Sequence, residues 1–314
     1  KPIVPVFNFI AGHPQELAQW RQNLAAYNMH ATLEFDTVAF TFEAEKRLYQ
    51  KMQTLLETYY TPLQKLIDYR AKLWNQLCLS GSKRIGDLIV SVACYRENKM
   101  MKHHQIADSL TQDRLHDFIR KAEQRCLHDL LSLFNFLEKD VAIQNIPVSN
   151  GQWQLDIFAP GILKAYGLDL GSAAAKGAAA GAGIDLMVGG MSLGAASALG
   201  ALAGAGWSTF KRYGDEIKAT VKGATWQCAD EKTLQILYLR QKNLLRKLMH
   251  RGHAAQDRLH VDQADHEKLP DQWNKLISAL RQHPTWQESS VARNAHPQFR
   301  EIEAKLVDAL LDER

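Results

Sequence analysis

Apolar and polar positions fall into three regimes along the chain. The first is short and mixed. Residues 2–9, PIVPVFNF, form a continuous apolar, β-rich run that predicts a buried parallel strand. Residues 10–14 make a turn, and Pro14 suits a first helical position. Leu17, Trp20 and Leu24 then recur at helical spacing and predict a helix over 15–27. HATLEFD at 30–36 predicts a second strand, and 36–40 a loop. Strand, helix and strand on short links is α/β grammar, but two strands make no stable sheet alone, so further strands are expected upstream.

The second regime is helical. Leu48, Met52, Leu55, Leu56, Tyr59, Leu63 and Leu66 share one face and predict a long helix over 43–77. Further helices are expected near 85–96 and over 113–137, where Leu115, Phe118, Ile119, Ala122, Cys126, Leu130 and Leu133 face inward. Residues 145–160 read as irregular, anchored by Trp153 and Phe158. Leu234, Leu237, Leu244 and Leu248 predict a helix over 230–253 with Asp230 as its cap, and helices near 271–283 and 298–312 follow. The leucine spacing fits a helical bundle better than a cofactor box.

The third regime, 171–206, interrupts the second. It reads GSAAAKGAAAGAGIDLMVGGMSLGAASALGALAGAG, with only Lys176 and Asp185 charged. Ala173, Gly177 and Gly181, then Gly190, Gly194 and Ala198, and in another register Ala196, Gly200 and Gly204, recur every fourth residue. On a helix such positions share a face and admit another backbone closely, the glycine-zipper arrangement of packed membrane helices. The length suits two helical arms broken at Gly189-Gly190. Two readings follow: a hairpin that enters the inner-membrane lipid surface, or one that buries its stripe in a soluble core or in a homo-oligomer. Trp207, Phe210 and Tyr213 beyond its end, with Lys211, Arg212, Lys218 and Lys222, fit an interfacial belt facing anionic headgroups or ordinary packing on a solvated helix face.

Composition narrows the function class. A net charge of +4 over 314 residues is too small to argue for nucleic acid as a partner. The 4 cysteines are scattered without a CxxC pair, as in a reduced cytoplasmic protein. His103-His104 point apart on a helix. His250 and His253 share a helix face near His260, His266, Asp262, Asp265 and Glu267, but no cysteine or spaced carboxylate completes a set, so no metal is expected. Neither a Ser-His-Asp arrangement nor HExxH occurs, and His13 and Asp36 sit in loops at strand ends. An independent enzyme site has no positive feature behind it, so no catalysis by this chain is expected.

The opening resembles the end of an Era-like P-loop GTPase domain. It is carried by KPIVPVFNF, HPQELAQWRQNLAAYNMHATLEFDTV and EKRLYQKMQTLL. The glycine-rich block and LLRKLMHRGHAAQ extend the resemblance to a bacterial group in which that domain is fused to a long C-terminal domain of unknown function. The resemblance implies three parts: 1–42 as the end of the GTPase α/β domain, 43–80 as a connecting helix, and 81–314 as a helical domain with its hairpin at 171–206. It places Asn8 at the asparagine of the guanine-reading motif, with Phe9 for the lysine that stacks on the base and Ala11 for the aspartate. Thr37-Val38-Ala39 falls where a Ser-Ala-Lys loop backs the base. GTP and Mg²⁺ would belong to the parent protein. Gly81-Ser82-Lys83-Arg84 lacks the first glycine and the context of a phosphate loop, so this chain holds no phosphate site of the usual kind. The expectation is a mostly α protein, a helical bundle with a Gly/Ala-rich helical hairpin, preceded by a partial α/β segment. It would couple an upstream GTPase domain to a membrane surface or a partner; the alternative is a soluble helical module that self-associates through the hairpin.

Overall fold

The computed structural model describes residues 3–8, 10, 13–29, 32–37, 40–99, 106–136, 148–149, 152–153, 155–159, 184–188, 225–250 and 269–311. Among these residues the protein is mostly helical, as expected for a bundle. The chain opens with β1 (Val6–Phe7), α1 (Pro14–Ala26) and β2 (Leu33–Glu34). β1 and β2 pair in parallel, Val6 opposite Leu33 and Phe7 opposite Glu34, with α1 as the crossover. Both strands are shorter than the apolar runs suggest. An Arg21–Glu34 ion pair ties helix to strand, yet α1 buries none of its residues.

The expected helix over 43–77 is two helices. α2 (Phe42–Leu55) is capped by Thr41, whose hydroxyl accepts from the Ala44 amide. A 3₁₀ turn over Glu57–Tyr59 reverses the chain into α3 (Tyr60–Cys94). Pro62 explains the break, because it has no N–H to bond back one turn and is accommodated only in a first turn. α3 then runs 35 residues, about 52 Å, with no interruption near 80. Gly81 and Ser82 are buried inside it, so the segment that superficially resembles a phosphate loop is mid-helix.

α3 is the axis of the bundle. Its second half is the most deeply buried part, with Ile85, Leu88, Ile89, Val90, Val92, Ala93 and Cys94 buried and Lys83, Arg84 and Asp87 on its open side. Around it lie α4 (Ile106–Leu133), α5 (Glu231–His250), α6 (Trp273–Arg281) and α8 (Pro297–Leu311), with the short α7 (Val291–Ala295) leading into α8. Gly81 permits the tightest approach: a Cβ there would stand 2.6 Å from Leu245 Cδ1. Asp230 caps α5 as the sequence suggests, accepting from the Thr233 amide at 2.6 Å. Arg293 fastens α7 to α3 by donating to Asp87 at 2.6 Å and to the Trp286 carbonyl at 3.1 Å while lying over Phe299.

The sheet elements are the main departure from the expected pattern. β3 (Glu97–Lys99), β7 (Thr225–Ala229) and β6 (Ile184–Val188) form an antiparallel sheet in the order β3-β7-β6. β6 lies inside the glycine-rich stretch, pairing from Ile184 opposite Ala229 to Val188 opposite Thr225. The helical hairpin expected over 171–206 is therefore corrected at its centre, which is strand. Ile, Leu, Met and Val, with Asp185 alternating, satisfy a pleat once β7 offers an edge. Gly177, Gly181, Gly190, Gly194, Gly200 and Gly204 lie outside the described residues. A small antiparallel pair, β4 (Val148–Ser149) with β5 (Gln152–Trp153), replaces the irregular reading of that segment.

Candidate functional site: the turn between the α/β unit and the bundle

The ends of β1 and β2 are laced together by two side chains. Asn8 Oδ1 accepts from the Thr37 amide and from the Thr37 hydroxyl, both at 2.9 Å. Asp36, nearly buried, accepts from the Ile10 amide at 3.0 Å. Each strand end thus supplies one acceptor to the loop of the other, and both loops are fixed without sheet hydrogen bonds. Of the residues expected at a base site, Asn8 and Thr37 are brought together; Phe9, Val38 and Ala39 lie outside the described residues. His13 turns away to Glu16 in front of α1, 3.4 Å between Nδ1 and Oε1.

Three residues beyond Thr37 the chain meets the bundle. Phe40 and Phe42 pack on Trp74 of α3, ring centroids 5.7 and 6.0 Å apart. The Phe40 carbonyl bonds the His250 ring at the end of α5; burial holds that imidazole below its ordinary value, against the pull of this bond. A groove of about 490 Å³ opens here, walled by Phe40, Leu73, Trp74, Phe136 and Met249 with Thr37 at its edge. Glu45 then locks α2 on α3. It accepts a fork from Arg70, Nε to Oε1 at 2.7 Å and Nη2 to Oε2 at 3.0 Å, and a third bond from the Tyr49 hydroxyl at 3.0 Å. Burial and this last bond raise the Tyr49 phenol, and the fork raises Arg70. Chemically the arrangement fixes α2 and the preceding loop on the bundle. Its charges neutralise one another, and no nucleophile is paired with a base.

A second polar cluster lies inside the bundle. Arg240 of α5 is fully buried; its Nε stands 3.2 Å from Glu123 Oε1 of α4, and its Nη2 donates to the Leu155 carbonyl at 3.0 Å. Its guanidinium lies 4.0 Å over Trp153. Burial pushes the Glu123 carboxyl up to about 7, opposed by Arg240. Sequence reasoning missed this pair, because Arg240 and Glu123 sit among leucines on separate helices. The one available signal was the run Arg240-Gln241-Lys242, polar residues on what the flanking leucines mark as buried positions. Among the described residues, no group of three or more His, Cys, Asp or Glu could hold a metal ion. Nor is any described helix long and apolar enough to cross a membrane.

Comparison with curated proteins finds no match, and comparison with solved structures finds none either. A family defined as a domain of unknown function matches residues 21–312, from inside α1 to one residue past α8. Because that match spans nearly the whole chain, the protein belongs to the DUF3482 family.

Proposed function

We propose that this chain is the coupling region of an Era-like bacterial GTPase, relaying the state of an upstream nucleotide domain to the helical bundle. The observation that carries the reading is a pair of contacts close in sequence: Asn8 holds Thr37, and Phe40, three residues on, packs on Trp74 and bonds His250. Asn8 and Thr37 are the two described residues among the five, with Phe9, Val38 and Ala39, that the resemblance assigns to the base-binding loops, and Phe40 just beyond them packs on α3. α1 buries nothing, and a two-stranded parallel sheet needs neighbours on its edges and faces; further strands of an α/β domain would supply them. GTP and Mg²⁺ would then be held by the rest of that domain.

Partner coupling is favoured over hairpin insertion in a membrane by one observation. The centre of the glycine-rich stretch is a strand paired with β7, whose Cys228 and Ala229 are buried in the bundle. Inserting the stretch would strip that strand away. The test has two arms. Calorimetric titration of this chain with GTP and Mg²⁺ is expected to show no micromolar site. The longer protein with a G-x-x-x-x-G-K-[ST] loop ahead of residue 1 is expected to bind GTP and to change amide exchange over residues 60–77. Binding without any change there would defeat the coupling; no phosphate loop upstream would defeat the GTPase attribution. Flotation with anionic liposomes reports on the membrane alternative.

A further inference from the structure

Packing leaves one face of α3 open to solvent. α2 lies along the side of Arg70 and Trp74, and α4, α5 and α8 close on the helix at Gly81 and Gly86. Away from these contacts, Lys65, Tyr69, Lys72, Gln76, Leu79 and Lys83 are all exposed. Their alternating spacing of four and three residues sets them on one face, about 27 Å long. The face ends one turn beyond Lys83 at Asp87, which accepts from Arg293 of α7. Many basic side chains of the bundle have an acid: Arg70 has Glu45, Arg84 has Asp129, Arg120 has Asp156 and Lys305 has Glu301. Lys65, Lys72 and Lys83 pair with none among the described residues, and Asp68 beside them accepts from Gln64 instead. Between the lysines, Tyr69 is 62% exposed and Leu79 38%.

We infer that this face is a docking surface for an anionic lipid bilayer, met side-on along α3. Charge selects the class of occupant: three lysines without acids require an anionic partner. Their placement selects a flat one. Lys65 and Lys83 are separated by about five whole turns, and Lys72 stands within about 20° of both around the axis, so one plane meets all three. Along the axis the gaps are uneven, about 10 and 16 Å. A fluid leaflet tolerates that, because its headgroups move laterally and its attraction for lysine is diffuse. Lysine stems can lie on the surface while their ammonium groups face the phosphates. Tyr69 adds an amphipathic ring suited to headgroup depth, and Leu79 an aliphatic tip. Duplex nucleic acid recruits a wider basic field than a chain of net charge +4 offers. Contact of this kind is peripheral: it inserts no segment and leaves β6 paired with β7. It also leaves the Arg70–Glu45 fork and the groove at Trp74 uncovered, since α2 lies away from the lysines. The inference stands apart from the GTPase attribution, which none of these residues supports.

Two measurements on the full chain test the inference. The first is flotation with vesicles of phosphatidylcholine alone, or of phosphatidylcholine and phosphatidylglycerol in equal parts. Binding is expected to the anionic vesicles only, and it should fade as salt is raised. Each lysine contributes about fivefold to such partitioning, so Lys65→Gln, Lys72→Gln and Lys83→Gln combined should weaken it about a hundredfold. The three side chains are exposed and unpaired, so that variant should keep the parent's denaturation midpoint. The second measurement places an environment-sensitive dye on Gln76→Cys, in the middle of the face. The four native thiols are buried and stay unlabelled. The dye's emission should shift with anionic vesicles, and the same dye on Val291→Cys, exposed on α7, should stay silent. No binding to anionic vesicles overturns the inference. So does binding undiminished in the triple variant, or a silent dye at Gln76 on a chain that floats, since either places the contact elsewhere. Duplex DNA bound as tightly as the vesicles, and through the same three lysines, overturns the lipid assignment.

Discussion

Replacing Gly81 by alanine places one methyl group at the crossing of α3, α4 and α5. Its Cβ would lie 2.6 Å from Leu245 Cδ1 and 3.6 Å from Leu245 Cδ2 and Leu130 Cδ2. Carbon pairs are comfortable at about 3.5–4.0 Å, so the first contact is short by roughly 1 Å and the others are ordinary. Leu245 and Leu130 are both buried, and a new rotamer for Leu245 must displace other core atoms. Overpacking of this kind costs about 1–3 kcal/mol. Against it stands the gain of about 1 kcal/mol from replacing a mid-helix glycine by alanine. The net is a loss of about 0–2 kcal/mol. In a Leu245→Ala background the obstructing methyls are gone, although that change alone costs about 2–5 kcal/mol. There Gly81→Ala should stabilise by about 1 kcal/mol, the propensity gain alone. Urea denaturation of the four members of this cycle therefore has a required outcome: the effect of Gly81→Ala changes sign between backgrounds, with a coupling of about 1–3 kcal/mol. Equal effects in both would mean that Leu245 yields freely and that Gly81 does not mark a tight crossing.

Other expectations follow from single contacts. Arg293→Ala strands the Trp286 carbonyl and removes the bond to half-exposed Asp87, so it should cost about 2 kcal/mol by denaturant midpoint, and Arg293→Lys should recover only part. All four cysteines are buried, and burial pushes the Cys94 thiol up to about 12; a thiol reagent at pH 8 should titrate none in the native protein and all four in denaturant. Burial lowers His250, so the fold prefers the neutral ring; that contribution is present above about 6.5 and is lost as pH falls below it. His250→Gln should blunt the acid loss of stability, measured as denaturant midpoints from pH 7 to pH 5.

What the sequence made legible was whatever repeats locally. α4, α5, α6 and α8 appear at the leucine spacings, and Asp230 announces the start of α5. The break between α2 and α3 was legible too, in Pro62, but the apolar face continues across it from Met52 to Leu66 and masks it. Pairing is a different matter. β7 draws one neighbour from beyond the end of α3 and another from the glycine-rich stretch, and nothing within TWQCA or IDLMV specifies either. The four-residue glycine spacing argued for a helical hairpin; at its centre, residues 184–188, a long-range partner makes strand instead. Ser149 pairs with Gln152 across Asn150-Gly151, a hairpin signal available in the sequence. At the candidate site, Asn8 and Thr37 were singled out by family likeness. Trp74 and His250 were hidden because their roles exist only where chain segments far apart converge.

The molecule is unevenly held, and the unevenness bears on coupling. The second half of α3 is buried along most of its surface, chiefly by apolar contact. The α/β unit and α2 are not: α1 buries nothing, and the only buried residues of α2 are the polar Glu45 and Gln53. What fixes α2 is the Arg70 fork with Tyr49 behind it, together with bonds from Gln53 to the Tyr60 carbonyl and to Gln64. Removing Arg70 strands a carboxylate that is only 7% exposed, which would cost about 3–5 kcal/mol if α2 stayed in place. The helix has a cheaper course. Peeling from α3 sacrifices little apolar burial and lets Glu45 hydrate, so the penalty cannot exceed the small free energy of that opening. Arg70→Ala should therefore leave the denaturation midpoint of the bundle within about 0.5 kcal/mol of the parent. It should also make residues 42–59 the first site of proteolysis and fast amide exchange. A bundle that unfolds several kcal/mol more easily, with α2 no more accessible than before, would mean that the two regions melt together. Residues 14–55 would then be no movable element, and the coupling proposed for them would lose its physical basis.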